Sequence, residues 1–251
     1  MRNERNPNRC IYLLNNFFRS LSVVVSLAAA ACTDLPTGPA IDETIDGIDV
    51  SHWQGTIDWQ AVRGGGIDFA FIKATEGGTY TDPQFARNWA AAADAGITRG
   101  AYHYFRPNVD AVKQAEHFLR VTRLGAGDLP AVLDVETSDG LTGDALLRAV
   151  RSWLETVERA TGKRPIVYTY PDFWNRYVSA SPGPYPLWIA SYGRDQPLMP
   201  TTGWSDWTFW QSSATGRVPG IQGDVDLDHF RGGSNELAAL TGGSGPLFAR
   251  R

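Results

Sequence analysis

Two carboxylates separated by one residue, Asp134 and Glu136, follow the apolar run Pro130-Ala131-Val132-Leu133. On a strand, side chains two apart point to the same face, with Cα atoms about 6.6 Å apart. Carboxylates that close oppose each other's ionisation, so one pKa rises and one group holds a proton while the other is charged. Glycoside hydrolysis uses such a pair: the acid serves the leaving oxygen, and the anion supports an oxocarbenium-like state. A lone DxE is more often a solvated loop edge; its place directly after an apolar strand makes this one a candidate. Asp49, after Gly47-Ile48, and Asp226, in the run Asp224-Val225-Asp226-Leu227-Asp228, meet the same test. There the competing reading is a turn or a helix cap. Asp224 and Asp228 share Asp226's alternation, so spacing does not choose among the three.

Other chemistries find little support. His52, His103, His117 and His229 are too dispersed for a metal motif, and no HExxH or CxxC occurs, so no metal is expected. Ser51 sits in no GxSxG elbow. No GxGxxG follows the first strand and there is no P-loop, so no nucleotide cofactor is expected.

The elements that must carry the acids alternate. Strands are expected at 46–50, 68–74, 97–104, 130–135, 165–170, 186–191, 207–211 and 224–228, and helices at 58–64, 83–95, 110–123 and 142–161. Asp82-Pro83 and Thr142 read as helix entries, Gly96 and Gly162 as exits. Alternating strands and helices imply a parallel sheet with right-handed crossovers. Eight strands point to an α/β barrel, with an open doubly wound sheet as the competitor. Little helix separates the later strands, so the barrel is expected to be an irregular TIM relative. Barrel chemistry gathers at the C-terminal strand ends. Nearly every end here brings an acid, an aromatic or both: Asp49 with Ser51, His52 and Trp53; Lys73 and Glu76; Tyr102, His103 and Tyr104; Asp134 and Glu136; Tyr168 and Tyr170; Trp188 and Tyr192; Trp210 and Gln211; and the three aspartates of 224–228.

The first 32 residues differ from the rest. A basic lead (Arg2, Arg5, Arg9, Arg19), an apolar run from Leu21 to Ala31 and small residues before Cys32 form an export signal. Cysteine directly after the small residues matches a lipobox, though Ala29 stands where leucine is usual. Cys32 is thus the expected lipidation site, and a membrane anchor the expected partner; ordinary cleavage nearby is the alternative. Cys10 leaves with the signal, so no internal disulfide is expected in the mature domain. Residues 33–45 read as a flexible tether, 46–231 as the barrel and 232–251 as a C-terminal helix or loose tail. Without 1–32 the chain has 19 basic and 26 acidic residues, a net charge of about −7, which argues against nucleic acid as a partner.

GIDVSHWQG (47–55), FAFIKATEG (69–77), RGAYHYFRP (99–107), PAVLDVE (130–136) and WTFWQSSATGRVPGIQGDVDLDHF (207–230) resemble glycoside hydrolase family 25, the Chalaropsis-type lysozymes or N-acetylmuramidases. The resemblance spans about 46–231. It implies an irregular barrel of eight strands and about five helices, and hydrolysis of the β-1,4 bond between N-acetylmuramic acid and N-acetylglucosamine in peptidoglycan glycan strands, without a cofactor. Carried over, Glu136 matches the general acid, Asp134 its partner carboxylate, and Asp49 and Asp226 the flanking acids. Tyr102, Tyr168 and Trp188 match cleft aromatics, with Trp210 and Gln211 nearby as substrate-binding candidates. His103 keeps the pattern without an assigned role. Retaining, inverting and N-acetyl-assisted routes stay open, the last favoured. The expectation is an exported, lipid-anchored, monomeric muramidase. Its rivals are a non-catalytic peptidoglycan-binding lipoprotein and a metal-dependent deacetylase on the same frame.

Overall fold

The computed structural model describes residues 44–242. The expected signal, the Cys32 site, nearly all of the tether and the last nine residues lie outside them. Nine strands and six helices follow in order: β1 (Thr44–Val50), a 3-10 turn (His52–Gln54), α1 (Trp59–Gly64), β2 (Phe69–Glu76), β3 (Tyr80–Thr81), α2 (Phe85–Asp94), β4 (Thr98–Tyr104), α3 (Ala111–Thr122), β5 (Val132–Asp134), α4 (Gly143–Thr161), β6 (Ile166–Thr169), α5 (Pro171–Tyr177), β7 (Leu187–Ala190), β8 (Phe209–Gly216), β9 (Val225–Arg231) and α6 (Ser234–Leu240). Eight strands close a barrel in the order β1-β2-β4-β5-β6-β7-β8-β9, with β9 returning to β1. The short β3 folds back antiparallel on the end of β2.

The barrel matches the expected class, with two corrections. The sheet is parallel only as far as β8. β9 runs antiparallel to both β8 and β1 and seals the gap between them. No helix lies between β8 and β9 to carry the chain back, so β9 returns in the opposite sense. In addition, β1 begins at Thr44, where Thr44 pairs with Arg231 and Ile45 with Phe230. The last two residues of the expected tether are therefore sheet, because Ile45 buries its side chain inside the barrel.

Strand alternation divides the core in two. Inward residues, among them Phe69, Phe71, Val132, Ile166, Phe209 and Phe230, fill the barrel. Outward residues such as Ile48, Ile72, Ala101 and Leu133 meet the helices. Glycine makes the inner layer possible at two points: a Cβ at Gly47 would meet the Phe69 ring at 2.3 Å, and one at Gly100 the Phe71 ring at 2.6 Å. The GIDV and RGAY segments therefore read as clearance for phenylalanines on the adjacent strand β2. α4 shows the helical counterpart: Leu146, Leu147, Val150, Trp153, Leu154 and Val157 share one buried stripe. Trp153 stacks on the ring of His103 at 5.6 Å.

His103 thereby gains a structural role. It is fully buried on the outer face of β4, bonded to Thr75 Oγ1 at 2.7 Å and Gln114 Oε1 at 3.0 Å, and burial pushes its pKa down to about 3. α6 completes the C-terminal part. Leu237 enters the inner layer, and Lys163 Nζ ties the end of the helix down through Thr241 O at 2.9 Å and Asp128 O at 2.9 Å.

Candidate active site

The strand ends open into a cleft of about 340 Å³, lined by Asp49, Asp134, Glu136 and Asp226 together with Tyr102, Tyr168, Trp188 and Gln211. Eight of the nine residues singled out by sequence thus converge. The ninth, Trp210, does not. It precedes Gln211 on β8 and so faces the opposite side of the strand. It is buried against Trp207 and His229 on the outer wall, its indole N–H donating to Ser191 O at 2.8 Å. An aromatic next to a cleft residue on the same strand is a wall residue, and alternation alone could have separated them.

The spacing of Asp134 and Glu136 is fixed by the residue between them. Val135 is buried; its N–H donates to Tyr168 O at 2.9 Å and its carbonyl accepts from Thr169 Oγ1 at 2.8 Å. The carbonyl of Asp134 accepts from Phe105 N–H at 2.9 Å. Both neighbouring strands therefore hold the backbone while the two carboxyls look into the cleft. Asp134 is buried and its Oδ1 has no hydrogen-bond partner among the described residues. Its pKa is driven well up by burial and then by the nearby Glu136. Burial also raises Glu136, against the nearby Tyr104 hydroxyl and the charge of Lys73, which lower it. Burial thus shifts both carboxyls toward the neutral form, and the pair titrates as a unit.

Opposite stand the acids of β1 and β9. Asp49 and Asp226 are direct cross-strand partners, an arrangement that like charges disfavour. Asp226 is pushed up to about 6 by loss of solvent. Asp49 is raised well above its ordinary value by burial and then by Asp228 and Asp226, while Gln211 Nε2 donates to its Oδ2 at 2.6 Å. Gln211 Oε1 in turn accepts from Tyr168 at 2.8 Å and from Tyr192 at 2.7 Å.

The structure also separates the three aspartates that spacing leaves equivalent. Asp224 is at the surface, paired with Arg217 at 2.8 Å. Asp226 lines the cleft. Asp228 lies behind it, fully buried, accepting from the Trp188 indole N–H at 2.8 Å. Its Oδ2 finds no N–H or hydroxyl donor among the described residues; a proton shared with the neighbouring Asp49 carboxyl would satisfy it. Burial accordingly raises its pKa well above the ordinary value. Asp228 is a site residue that the sequence reading does not choose, and so is Tyr104, although Tyr104 follows Tyr102 on one face of β4. Among the described residues, Lys73 is the one lysine or arginine lining the cleft, its ammonium 4.9 Å from the Tyr104 ring centre and held by Glu76 at 2.8 Å. No group of three His, Cys, Asp or Glu among the described residues is arranged to hold a metal.

A stacked floor orients these groups. Trp188 packs on Phe71 at 4.5 Å and meets Tyr168 edge-on at 4.6 Å, so its indole N–H points to Asp228. The site is an acidic slot with an aromatic floor, four carboxyls around its wall and a single lysine.

Comparison with known proteins gives one consistent answer. The family model described as "Glycosyl hydrolases family 25" matches residues 48–221, which include Asp49, Asp134 and Glu136 and stop short of Asp226. Lysozyme M1 of Streptomyces globisporus is 40% identical over 216 residues, 81% of this chain and 73% of its own length. The uncharacterized protein YegX of Escherichia coli K12 is 46% identical over 205 residues, 80% of this chain and 74% of its own. The crystal structure of the bacterial lysozyme from Streptomyces coelicolor superposes with a TM-score of 0.77 at 38% identity, covering 81% of this chain and all of that one.

Proposed function

We propose that this chain, which belongs to family 25 of the glycosyl hydrolases and is a glycoside hydrolase of the lysozyme type, cuts the β-1,4 bond between N-acetylmuramic acid and N-acetylglucosamine in peptidoglycan. The observation that carries this reading is the anchored Asp134–Glu136 pair, with its buried, partnerless Asp134 Oδ1 at the wall of an acidic cleft. A buried acceptor without a donor calls for an explanation, and a substrate amide N–H supplies one. In this mechanism the acetamido N–H of the sugar donates to Asp134 and stabilises it as the anion. The proton of the pair then resides on Glu136, which protonates the leaving glycosidic oxygen. The acetamido oxygen attacks the anomeric carbon as the bond to the leaving group breaks, and the Asp134 charge offsets the positive charge that develops. Water opens the resulting ring, with Glu136 now accepting its proton, and configuration is retained overall. Asp49 and Asp226 flank the reacting centre, and Asp226, with its pKa at about 6, is charged at neutral pH and keeps the slot negative for the oxocarbenium-like state.

A digest of purified sacculi, reduced with borohydride and read by mass spectrometry, tests the reading. Reduced muramic acid at new ends is the expected result. Reduced glucosamine ends would make the chain a glucosaminidase, and sacculi bound but uncut would make it a binding module. NMR of fresh product showing the inverted anomer would sink the N-acetyl-assisted route.

We propose further that the protein is exported and anchored through acylated Cys32, which the basic lead and apolar run of the first 32 residues support. Labelled fatty acid should enter the native protein in cells and fail to enter Cys32→Ser.

A further inference from the structure

Four of the large apolar side chains left exposed are aromatic and stand at the strand-end face of the barrel: Trp53 (82% exposed) after β1, Tyr80 (40%) on β3, Tyr170 (37%) after β6 and Tyr192 (50%) after β7. Large rings normally go to the core, so their gathering around one opening marks a contact surface. Trp53 is the extreme case. It lines the cleft that holds the acids, yet it presents most of its indole to water.

That exposure is built rigidly. Ser51 caps the 3-10 turn, accepting from Trp53 N–H at 3.3 Å, while Gln54 Oε1 accepts from Ser51 N–H at 2.9 Å. The ring of His52 lies 4.7 Å from the indole, tilted by 34°. Asp82, itself buried, fixes His52 twice, accepting from its backbone N–H at 3.1 Å and bonding its Nδ1 at 2.8 Å. Tyr80 meets the His52 ring edge-on at 6.4 Å. The indole is thus held out on a braced turn with one face free. A preorganised ring loses little entropy when a ligand stacks on it.

The chemistry of the bank says what stacks there. The cation that reaches these rings, Lys73 at 5.8 Å from the Tyr80 centroid, is already engaged by Glu76 at 2.8 Å. Flat rings beside a neutralised lysine suit an uncharged sugar ring better than the carboxylates of a peptide stem. The geometry points to Trp53 as a stacking platform for a sugar of the glycan strand outside the pair being cut, making the enzyme selective for long strands. This rests on the muramidase reading and extends it: the strand runs on past the acids and lays the apolar face of an N-acetylhexosamine on Trp53. Tyr192, after β7, lines the same cleft from the far side of β8 and β9, its hydroxyl tied to Gln211 at 2.7 Å.

The test is calorimetric titration of Glu136→Gln, which prevents turnover, with peptide-free glycan fragments: disaccharide, tetrasaccharide and hexasaccharide. Affinity should rise with length. Adding Trp53→Ala should weaken the hexasaccharide about tenfold, roughly one stacking contact, and leave the disaccharide unchanged. Trp53→Phe should restore most of the loss. The ring is largely in water, so an unchanged melting temperature in Trp53→Ala will exclude misfolding. Equal hexasaccharide affinity with and without Trp53, from a native enzyme that still cuts sacculi, overturns the platform and leaves the muramidase reading intact. Failure of every fragment to bind, from a native enzyme that leaves sacculi uncut, overturns both.

Discussion

On the outer wall Asp128 meets Arg99 at 2.9 Å and accepts Gly125 N–H at 2.9 Å, and Asp224 meets Arg217 at 2.8 Å. Two residues on from Asp224, Asp226 faces Asp49, and two further on Asp228 is buried against the same Asp49. Within one five-residue run, the same side chain goes from a solvated ion pair to a carboxyl crowded by its own kind. The wall uses acids to hold loops, where pairing and capping offset desolvation. The mouth uses them against stability, because burial and mutual repulsion favour a neutral form that the unfolded chain does not need at neutral pH. Groups kept in an unfavourable state are characteristic of sites that do chemistry.

If the contrast holds, neutralising a mouth acid costs activity and not stability, and removing a wall acid does the reverse. The largest effect is expected for Glu136→Gln. Loss of the proton donor should lower peptidoglycan turnover by about 10³-fold, with a melting temperature equal to or above that of the native protein. An equal loss of folding would break the comparison. Asp134→Asn comes next, with about 10²-fold lost in kcat and again no loss of stability by thermal melting. On the wall, Asp128→Ala removes both the Arg99 pair and the Gly125 contact. About 2 kcal/mol of lost stability should lower the melting temperature by about 4–8 °C, with kcat on sacculi unchanged.

Asp228→Asn sharpens the contrast further. Its amide can accept from Trp188 and donate to Asp49, replacing the shared proton with a permanent one. The sign follows from raised carboxyl pKa values. Asp226, pushed from 3.8 to about 6, holds its proton where the unfolded chain has released it, so stability falls as pH rises through that window. Asp49 and Asp228, both raised well above 3.8, act in the same direction. Removing one of these charges should therefore raise the melting temperature at pH 7 by roughly 2–4 °C, with the gain fading toward pH 4. The smallest effect is Tyr104→Phe. Its hydroxyl lowers the Glu136 pKa, so its loss should move the alkaline limb of the pH–rate profile upward; a downward movement would contradict that role.

The parts of this site that were legible from sequence are those that alternation encodes. An apolar run followed by an acid gave Asp49 and Asp134, and the two-residue step gave Glu136. Resemblance then selected Asp226 among three equivalent aspartates. Asp228 escaped because its importance comes from what lies behind it, the Trp188 indole and the Asp49 carboxyl, which reach it from β7 and β1. Tyr104 escaped because its value lies in what its hydroxyl does to Glu136, which stands just past the end of the neighbouring strand. Trp210 is next to Gln211 in the chain but on the opposite strand face, so nearness in sequence does not bring it to the cleft. The reversed direction of β9 was hidden for a related reason: alternation is the same read forward or backward. Helix α5, only seven residues long, begins at Pro171 directly after Tyr170, where the aromatic strand end masks it.

The sealing position of β9 sets a timetable for the enzyme. Asp49 is made early and Gln211, which donates to it, comes 162 residues later, with Asp226 and Asp228 later still. Pairings so far apart in the chain form late in folding. The complete acidic slot therefore cannot assemble on a half-made chain. The cleft acquires its full set of acids only when the last barrel strand slides between the first and the eighth.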